Sequence, residues 1–184
     1  LVIDQMTTES AVKATRGKIY DKNGKVLATS ITAYRVFISP RGIATAQKNL
    51  EDGKREIKED TLKTDNYAEL ISANLADILG VSYAKVKENV AMTRYLDRTI
   101  ARDVNEETAD RVREFIKNYA LNDMVYLEAT SKRYYPYSSL ASHVLGFTSN
   151  DGSGLYGLEL KYNSYLQGTD GKYITARDSL GNEM

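Results

Sequence analysis

The sequence predicts an α+β fold in which a helical lobe is inserted into a β-rich base. Three observations carry this reading. Strand-type apolar runs separated by turn residues open the chain, three-to-four-residue apolar periodicity fills its middle, and mixed strand and helix patterns close it. Strands, then helices, then mixed structure is the order of an α+β arrangement rather than of alternating βα units. The base is expected over about 15–45 and 124–184 and the lobe over about 60–120.

The opening strands come from Ile19 and Tyr20, then Val26, Leu27 and Ala28, then Tyr34, Val36, Phe37 and Ile38, all strand-prone residues in short runs. Asn23-Gly24 between the first two runs predicts a tight hairpin turn, since both residues tolerate positive φ. Pro40 and Gly42 are expected to close the third run, and the polar stretch 47–65 reads as a surface loop or a solvated helix.

The lobe follows from periodicity. Tyr67, Leu70, Ile71, Leu75, Ile78 and Leu79 line one helical face, with Asn66 and Glu69 as a capping box and Gly80 at the left-handed terminal position. A short helix is expected over 83–90. Another is expected over 106–119, where Ala109, Val112, Phe115, Ile116 and Tyr119 form the stripe, Asn105 caps, and Glu106 and Glu107 suit the positive end of the dipole. These stripes read as core. Beyond them Met124-Val125-Tyr126-Leu127 and His143-Val144-Leu145-Gly146-Phe147-Thr148 are expected as strands and 155–166 as a helix.

Composition narrows the function classes. At 184 residues with 42% hydrophobic and 27% charged content, the chain is long enough to bury a core. Basic and acidic residues number 25 each, so no net field favours nucleic acid or an anionic surface. The absence of cysteine excludes disulfides, thiolate metal sites and a cysteine nucleophile. No apolar run approaches the roughly 20 residues that span a bilayer, so any anchor is expected outside this sequence.

Two enzyme motifs are matched. Ser82-Tyr83-Ala84-Lys85 fits S-x-x-K, but so does Ser10-Ala11-Val12-Lys13, and no K-T-G strand or S-x-N loop follows Ser82 to complete such a site. Ser82 is therefore expected as the N-cap of the helix it precedes. Gly152-Ser153-Gly154-Leu155-Tyr156-Gly157 fits G-x-G-x-x-G, with Asp178 about 20 residues on, where a dinucleotide site has its acidic residue. The residues after Gly157 are too few for the further βα units a nucleotide crevice needs, so these glycines are expected to serve backbone geometry, Gly152 in a turn and Gly157 in close packing. The lone histidine, His143, has no second imidazole to share a metal and reads as structural. The Lys132-Arg133-Tyr134-Tyr135 cluster reads as a packed surface rather than a base-stacking platform. No cofactor, metal or catalytic residue is expected.

Three signatures remain, and their order is informative: Arg16-Gly17-Lys18-Ile19-Tyr20-Asp21-Lys22-Asn23-Gly24, then Arg133-Tyr134-Tyr135-Pro136, then Gly154-Leu155-Tyr156-Gly157-Leu158-Glu159. Together they resemble the pedestal, or dimerisation, region of class B penicillin-binding proteins, the transpeptidases that cross-link peptidoglycan. Arg16, Gly17, Asp21 and Gly24 match R-G-x-x-x-D-R-x-G, with Lys22 where arginine is usual. Arg133 and Pro136 match R-x-x-P, with Ser138 in place of a glycine, and His143, Leu145 and Gly146 resemble the H-x-L-G that follows. Gly154, Gly157 and Glu159 match G-x-x-G-x-E, continued by Tyr162, Leu166, Gly168 and Gly171. The segment 95–102 resembles the family's middle region more loosely.

The resemblance implies a penicillin-binding protein dimerisation-domain-like module over 1–184, with the transmembrane helix and the transpeptidase domain, including its serine, outside these residues. It implies a non-catalytic pedestal at the extracytoplasmic face of the bacterial membrane. Its expected partners are its own transpeptidase domain, a SEDS-type glycan polymerase, other elongation, division or sporulation proteins, and a second copy of itself. The alternative is a free-standing extracytoplasmic adaptor with the same fold. Arg16, Asp21, Arg133 and Glu159 are expected to meet in one partly buried hydrogen-bonded network in the base.

Overall fold

The structure, a computed structural model, describes residues 7–12, 14–55, 61–137 and 142–176. Ser138, Asp178 and the middle of the polar stretch lie outside them. The fold is α+β. The chain divides into two compact units, Leu1–Ile31 with Arg133–Met184, and Thr32–Lys132.

In order along the chain come β1 (Thr7–Val12), β2 (Ile19–Tyr20), β3 (Val26–Ile38), α1 (Pro40–Glu51), α2 (Tyr67–Leu79), α3 (Tyr83–Ala91), β4 (Arg98–Val104), α4 (Glu106–Tyr119), β5 (Val125–Tyr134), α5 (Ser142–Leu145), α6 (Gly157–Lys161), α7 (Asn163–Leu166) and β6 (Gly171–Ala176). One sheet runs β2-β3-β4, with β5 also pairing β3; a second pairs β1 with β6.

The second unit holds the apolar core. Ile71 and Leu75 of α2, Val86 and Val90 of α3, and Ala109, Val112 and Phe115 of α4 close over Val36 and Ile38 of β3 and Ile100 of β4. The expected stripes thus face the core, Leu70, Ile78, Leu79, Ile116 and Tyr119 half-buried at its margin, because residues three and four apart share a helix face. Asn66 and Asn105 each cap with their side-chain oxygen, accepting from the Glu69 and Thr108 amides, and Gly80 is left-handed at φ 63. The capping box is only half formed: the Glu69 carboxylate accepts from the Tyr83 hydroxyl and Lys87 instead of turning back to Asn66.

The third strand ends at Ile38, before Pro40, as expected, but the helix α1 that follows was not expected. Pro40 opens a helix there, because Ser39 accepts from the Gly42 amide as N-cap and proline at the first helical position gives up no bond. Its buried face is Pro40, Ile43 and Ala46. The strand runs expected around Ala28 and Val36 are one 13-residue strand. Opposite it β4 carries a bulge, two residues of β4 lying between the pairs Tyr34↔Val104 and Val36↔Ala101, with Asp103 at φ 56.

In the first unit β1 and β6 pair antiparallel from Thr7↔Ala176 to Val12↔Gly171. The β2–β3 hairpin differs from the expected two-residue turn: the Gly24 amide donates to the Asp21 carbonyl at 3.1 Å, and Gly24 alone takes positive φ, 80°. A turn followed by one left-handed glycine is the longer hairpin form.

The strand expected over 143–148 is overturned. Ser142–Leu145 is a helical turn, and the chain then bends at Gly146, φ 78, so that only Thr148 bridges, to Gly154. A short apolar run does not distinguish strand from helical turn, and here Leu145 is buried while Val144 and Phe147 are exposed. The single helix expected over 155–166 is two, α6 and α7, broken at Tyr162 with φ −105 and ψ 20.

Candidate functional site

Arg16, just before β2, reaches Glu159 of α6, and Arg133, near the end of β5, reaches the same carboxylate. Arg16 Nε donates to Glu159 Oε2 at 2.7 Å and Arg133 Nε to Oε1 at 2.8 Å. Glu159 is fully buried, and the two guanidinium side chains are 6% and 4% exposed. At that depth water cannot solvate the carboxylate, and each guanidinium supplies the charge-assisted bonds that replace it. Tyr135 donates a third, longer bond to Oε1 at 3.3 Å. Burial, with the Glu159 charge adding to it, raises the Tyr135 phenol above its ordinary range.

The arginines also tie down backbone. Arg16 Nη2 donates to the Glu159 carbonyl at 2.8 Å, and Nη1 to the Gly152 carbonyl at 3.1 Å and to Asn163 Oδ1 at 2.8 Å. Arg133 Nη1 donates to the Gly17 carbonyl at 2.7 Å and to Ser30 Oγ at 3.3 Å. Its Nη2 is buried with no hydrogen-bond partner among the described residues. Two cations thus face one carboxylate, and the cluster binds the segment before β2, β3, β5, the glycine loop and α6 into one body.

Of the residues expected in this network, Asp21 does not join. Its Oδ1 accepts from the Asn23 and Lys25 amides, both at 2.8 Å, because an aspartate at the first position of a turn finds its own following N–H groups nearer than any distant partner. Lys22 is exposed beside it. Asn163 and Ser30 join the cluster without having been marked by any sequence pattern, and Tyr135 joins it from a variable position of the second signature.

The glycines of the third signature are packed against backbone. A Cβ on Gly154 would overlap the Glu159 carbonyl, and one on Gly157, at φ 60, would lie 2.5 Å from the Val144 carbonyl. The Gly154 amide donates to Asn163 Oδ1 at 2.8 Å. This loop is filled by its own chain, as the backbone reading of G-x-G-x-x-G expects. Gly17 donates to the Leu166 carbonyl at 2.7 Å, Gly168 lies against Ala14, and Gly171 opens β6 opposite Val12. Pro136 is exposed in the turn after β5.

Ser82 and Lys85 are both exposed at the start of α3. Ser82 holds the N-cap position, yet its hydroxyl makes no capping bond, which corrects the expected role. His143 is exposed on α5. Among the described residues no group of three or more His, Cys, Asp or Glu side chains could hold a metal, and no helix is long and apolar enough to cross a membrane. A groove of about 440 Å³ in the second unit is lined by Leu79, Val81, Ala101, Arg102, Asp103, Val104, Asn105 and Thr108.

A family model described as the penicillin-binding protein dimerisation domain matches residues 11–184. The chain is 31% identical over 172 residues to stage V sporulation protein D of Bacillus subtilis (strain 168), covering 92% of this chain and 22% of that protein. It is 30% identical over 179 residues to the probable peptidoglycan D,D-transpeptidase PenA of Neisseria gonorrhoeae, covering 97% and 26%. The chain therefore spans about a quarter of the length of these curated relatives. The complex between penicillin-binding protein 2 and MreC from Helicobacter pylori superposes with a TM-score of 0.65 at 22% identity, covering 97% of this chain and 33% of that one, a likeness of fold alone. With the model matched across almost the whole sequence, the chain belongs to the penicillin-binding protein dimerisation-domain family.

Proposed function

We propose that this chain is the non-catalytic pedestal of a membrane-anchored peptidoglycan D,D-transpeptidase, holding the catalytic domain in position on the extracytoplasmic face of the bacterial membrane. The buried Arg16–Glu159–Arg133 cluster carries the reading. A pedestal must transmit position without yielding, and here Arg16, Arg133 and Glu159 of the signatures are consumed in fastening segments of the first unit to one another. The antiparallel pairing of β1 with β6 supports the same role, since the two strands brace each other along their length.

The partners we assign are the chain's own transpeptidase domain, a SEDS-type glycan polymerase and other proteins of elongation, division or sporulation, with a second copy of the chain as a further candidate. The Helicobacter pylori neighbour is a complex with MreC, which lends support to a protein partner of that kind.

Incubation with a fluorescent penicillin tests the reading. The product of the full reading frame is expected to label covalently and this chain is not. Labelling of the chain, lost in Ser82→Ala, would overturn the reading by making Ser82 a nucleophile. Labelling of neither would favour a free-standing adaptor.

A further inference from the structure

We propose that the connection from α3 to β4, with the start of α1, docks a short acidic segment of a partner polypeptide, its carboxylates held by Arg41, Arg94 and Arg98 and an apolar side chain laid on Leu96. The proposal deepens the partner-binding reading above, on which it rests for the origin of that segment. In the second unit Arg35, Arg55, Arg111 and Arg113 each meet a carboxylate. Arg41, Arg94 and Arg98 meet none among the described residues, although they gather around Tyr95. Asp97, the one acid of the connection, is engaged by Arg35. In a chain with as many acidic as basic residues, this leaves a local concentration of positive charge with no counter-charge of its own. Such a patch attracts an anionic partner and repels a cationic one.

The three guanidinium groups are also held in place. The Arg41 amide donates to the Tyr95 carbonyl at 3.1 Å, and its Nη2 donates to the Arg94 carbonyl at 3.2 Å. Arg94 lies over the Tyr95 ring, 4.8 Å from its centre, and its Nη2 donates to the Tyr95 hydroxyl at 2.8 Å. Arg98 lies 5.2 Å from the same ring centre, and its Nε donates to Oδ1 of the buried Asn89 at 2.8 Å. Each guanidinium carries five N–H groups, so most of each fork is left for a ligand. Side chains ordered in advance lose less conformational entropy when a carboxylate arrives. α1 adds to the positive potential, since its first turn carries no acidic residue to offset the dipole at Arg41.

Charge and apolar surface together select the occupant. The planar fork of arginine matches the two oxygens of a carboxylate, and arginine is enriched among the residues that dominate protein interfaces. Leu96, between Tyr95 and Asp97, is 62% exposed, and a wholly hydrophilic polyanion would leave it in water. Asp97 and Glu128, which share Arg35, have side chains 48% and 55% exposed. These two carboxylates would repel a long polyanion or a flat anionic surface laid across the patch. A polypeptide segment of a few residues can place its acids on the arginines, clear of both, and cover Leu96 with an apolar side chain.

Fluorescence anisotropy of a labelled peptide, glutamates flanking a leucine, tests the site on this chain. Binding is expected, and is expected to weaken as salt screens the charges. Arg41→Ala and Arg94→Ala should each weaken it roughly tenfold, as the loss of a charge-assisted bond does. Arg94→Lys should weaken it less than Arg94→Ala, since the charge stays and only the fork is lost. Leu96→Glu should weaken it as well, and its exposed position keeps the test open if an arginine variant has a lowered unfolding midpoint. The same peptide with lysine in place of glutamate should not bind. Absence of binding to the unaltered chain, or equal binding by all the variants, would overturn the proposal. So would tighter binding, through the same arginines, of phosphatidylglycerol vesicles, which assigns the patch to the membrane, or of polyphosphate, which assigns it to an anionic polymer. Penicillin labelling of the full reading frame's product separates the two ideas. Peptide binding without labelling keeps the docking site and removes the transpeptidase reading, and labelling without peptide binding does the reverse.

Discussion

Arg16 and Glu159, 143 positions apart in sequence, are joined twice: Nε of the arginine donates to the carboxylate at 2.7 Å and Nη2 donates to the backbone carbonyl of the same glutamate at 2.8 Å. One guanidinium thus reads both the charge of Glu159 and the path of its helix. Glu159→Gln is expected to destabilise the first unit by about 3–5 kcal/mol, since it leaves two buried guanidinium groups without their carboxylate, whereas Arg16→Ala, which keeps Glu159 paired with Arg133, should cost less. Urea unfolding followed by tyrosine fluorescence measures it, the chain having 14 tyrosines and no tryptophan. An unchanged midpoint would sink the buried-cluster account.

Replacing the three charged residues together is a different experiment. Arg16→Met, Arg133→Met and Glu159→Leu in one chain should cost less than Glu159→Leu alone, because no charge is then stranded and apolar groups of similar volume fill the space. A triple variant less stable than Glu159→Leu would mean that the backbone carbonyls of Gly17, Gly152 and Glu159 depend on the arginines more than the charges depend on one another.

Two glycine substitutions should separate conformational strain from steric overlap. Gly24→Ala places a side chain at φ 80 with nothing within 4 Å, so its cost should stay at the left-handed penalty of about 1–2 kcal/mol. Gly154→Ala drives a methyl into the Glu159 carbonyl, which neither α6 nor Arg16 is free to yield, and should cost about 3 kcal/mol or more. Equal unfolding midpoints for the two variants would contradict the packing described for the third signature.

Caps give a contrast within the second unit. Asn105→Ala should cost about 1 kcal/mol, since the Thr108 amide loses its acceptor. Ser82→Ala should change stability by less than about 0.5 kcal/mol, because its exposed hydroxyl makes no capping bond. Thermal melts of the two variants decide between them.

Acid should act through Asp123. The bidentate bonds from Arg55, at 2.8 and 3.0 Å, hold its carboxyl below the usual range, burial opposing them. A carboxyl depressed on folding contributes stability that is fully present above its unfolded value, about pH 4, and lost as pH falls through the lower folded value. Asp123→Asn should therefore flatten the stability profile below about pH 4 and leave its slope near neutrality unchanged. A wild-type slope retained in the variant would remove Asp123 from that window.

What the sequence determined by itself was local. Tyr67, Ile71 and Leu75, Ala109, Val112 and Phe115, the Asn66 and Asn105 caps and Gly80 were legible because a helix and its ends are built from residues within a turn of one another. Ser39-Pro40 is as clear a start signal, and α1 was missed because the polar residues after it hid the spacing of Ile43 and Ala46. The tertiary structure decided what depends on a distant partner. That Glu159 lies between Arg16 and Arg133 while Asp21 keeps to its own turn, that Asn163 and Ser30 complete the cluster, that β1 pairs β6, and that 142–145 coils rather than extends are choices among competing partners. No short window encodes them, because a buried charge takes whichever opposite group the whole fold brings within hydrogen-bond reach, and a short apolar run takes whichever backbone form lets its neighbours bury it.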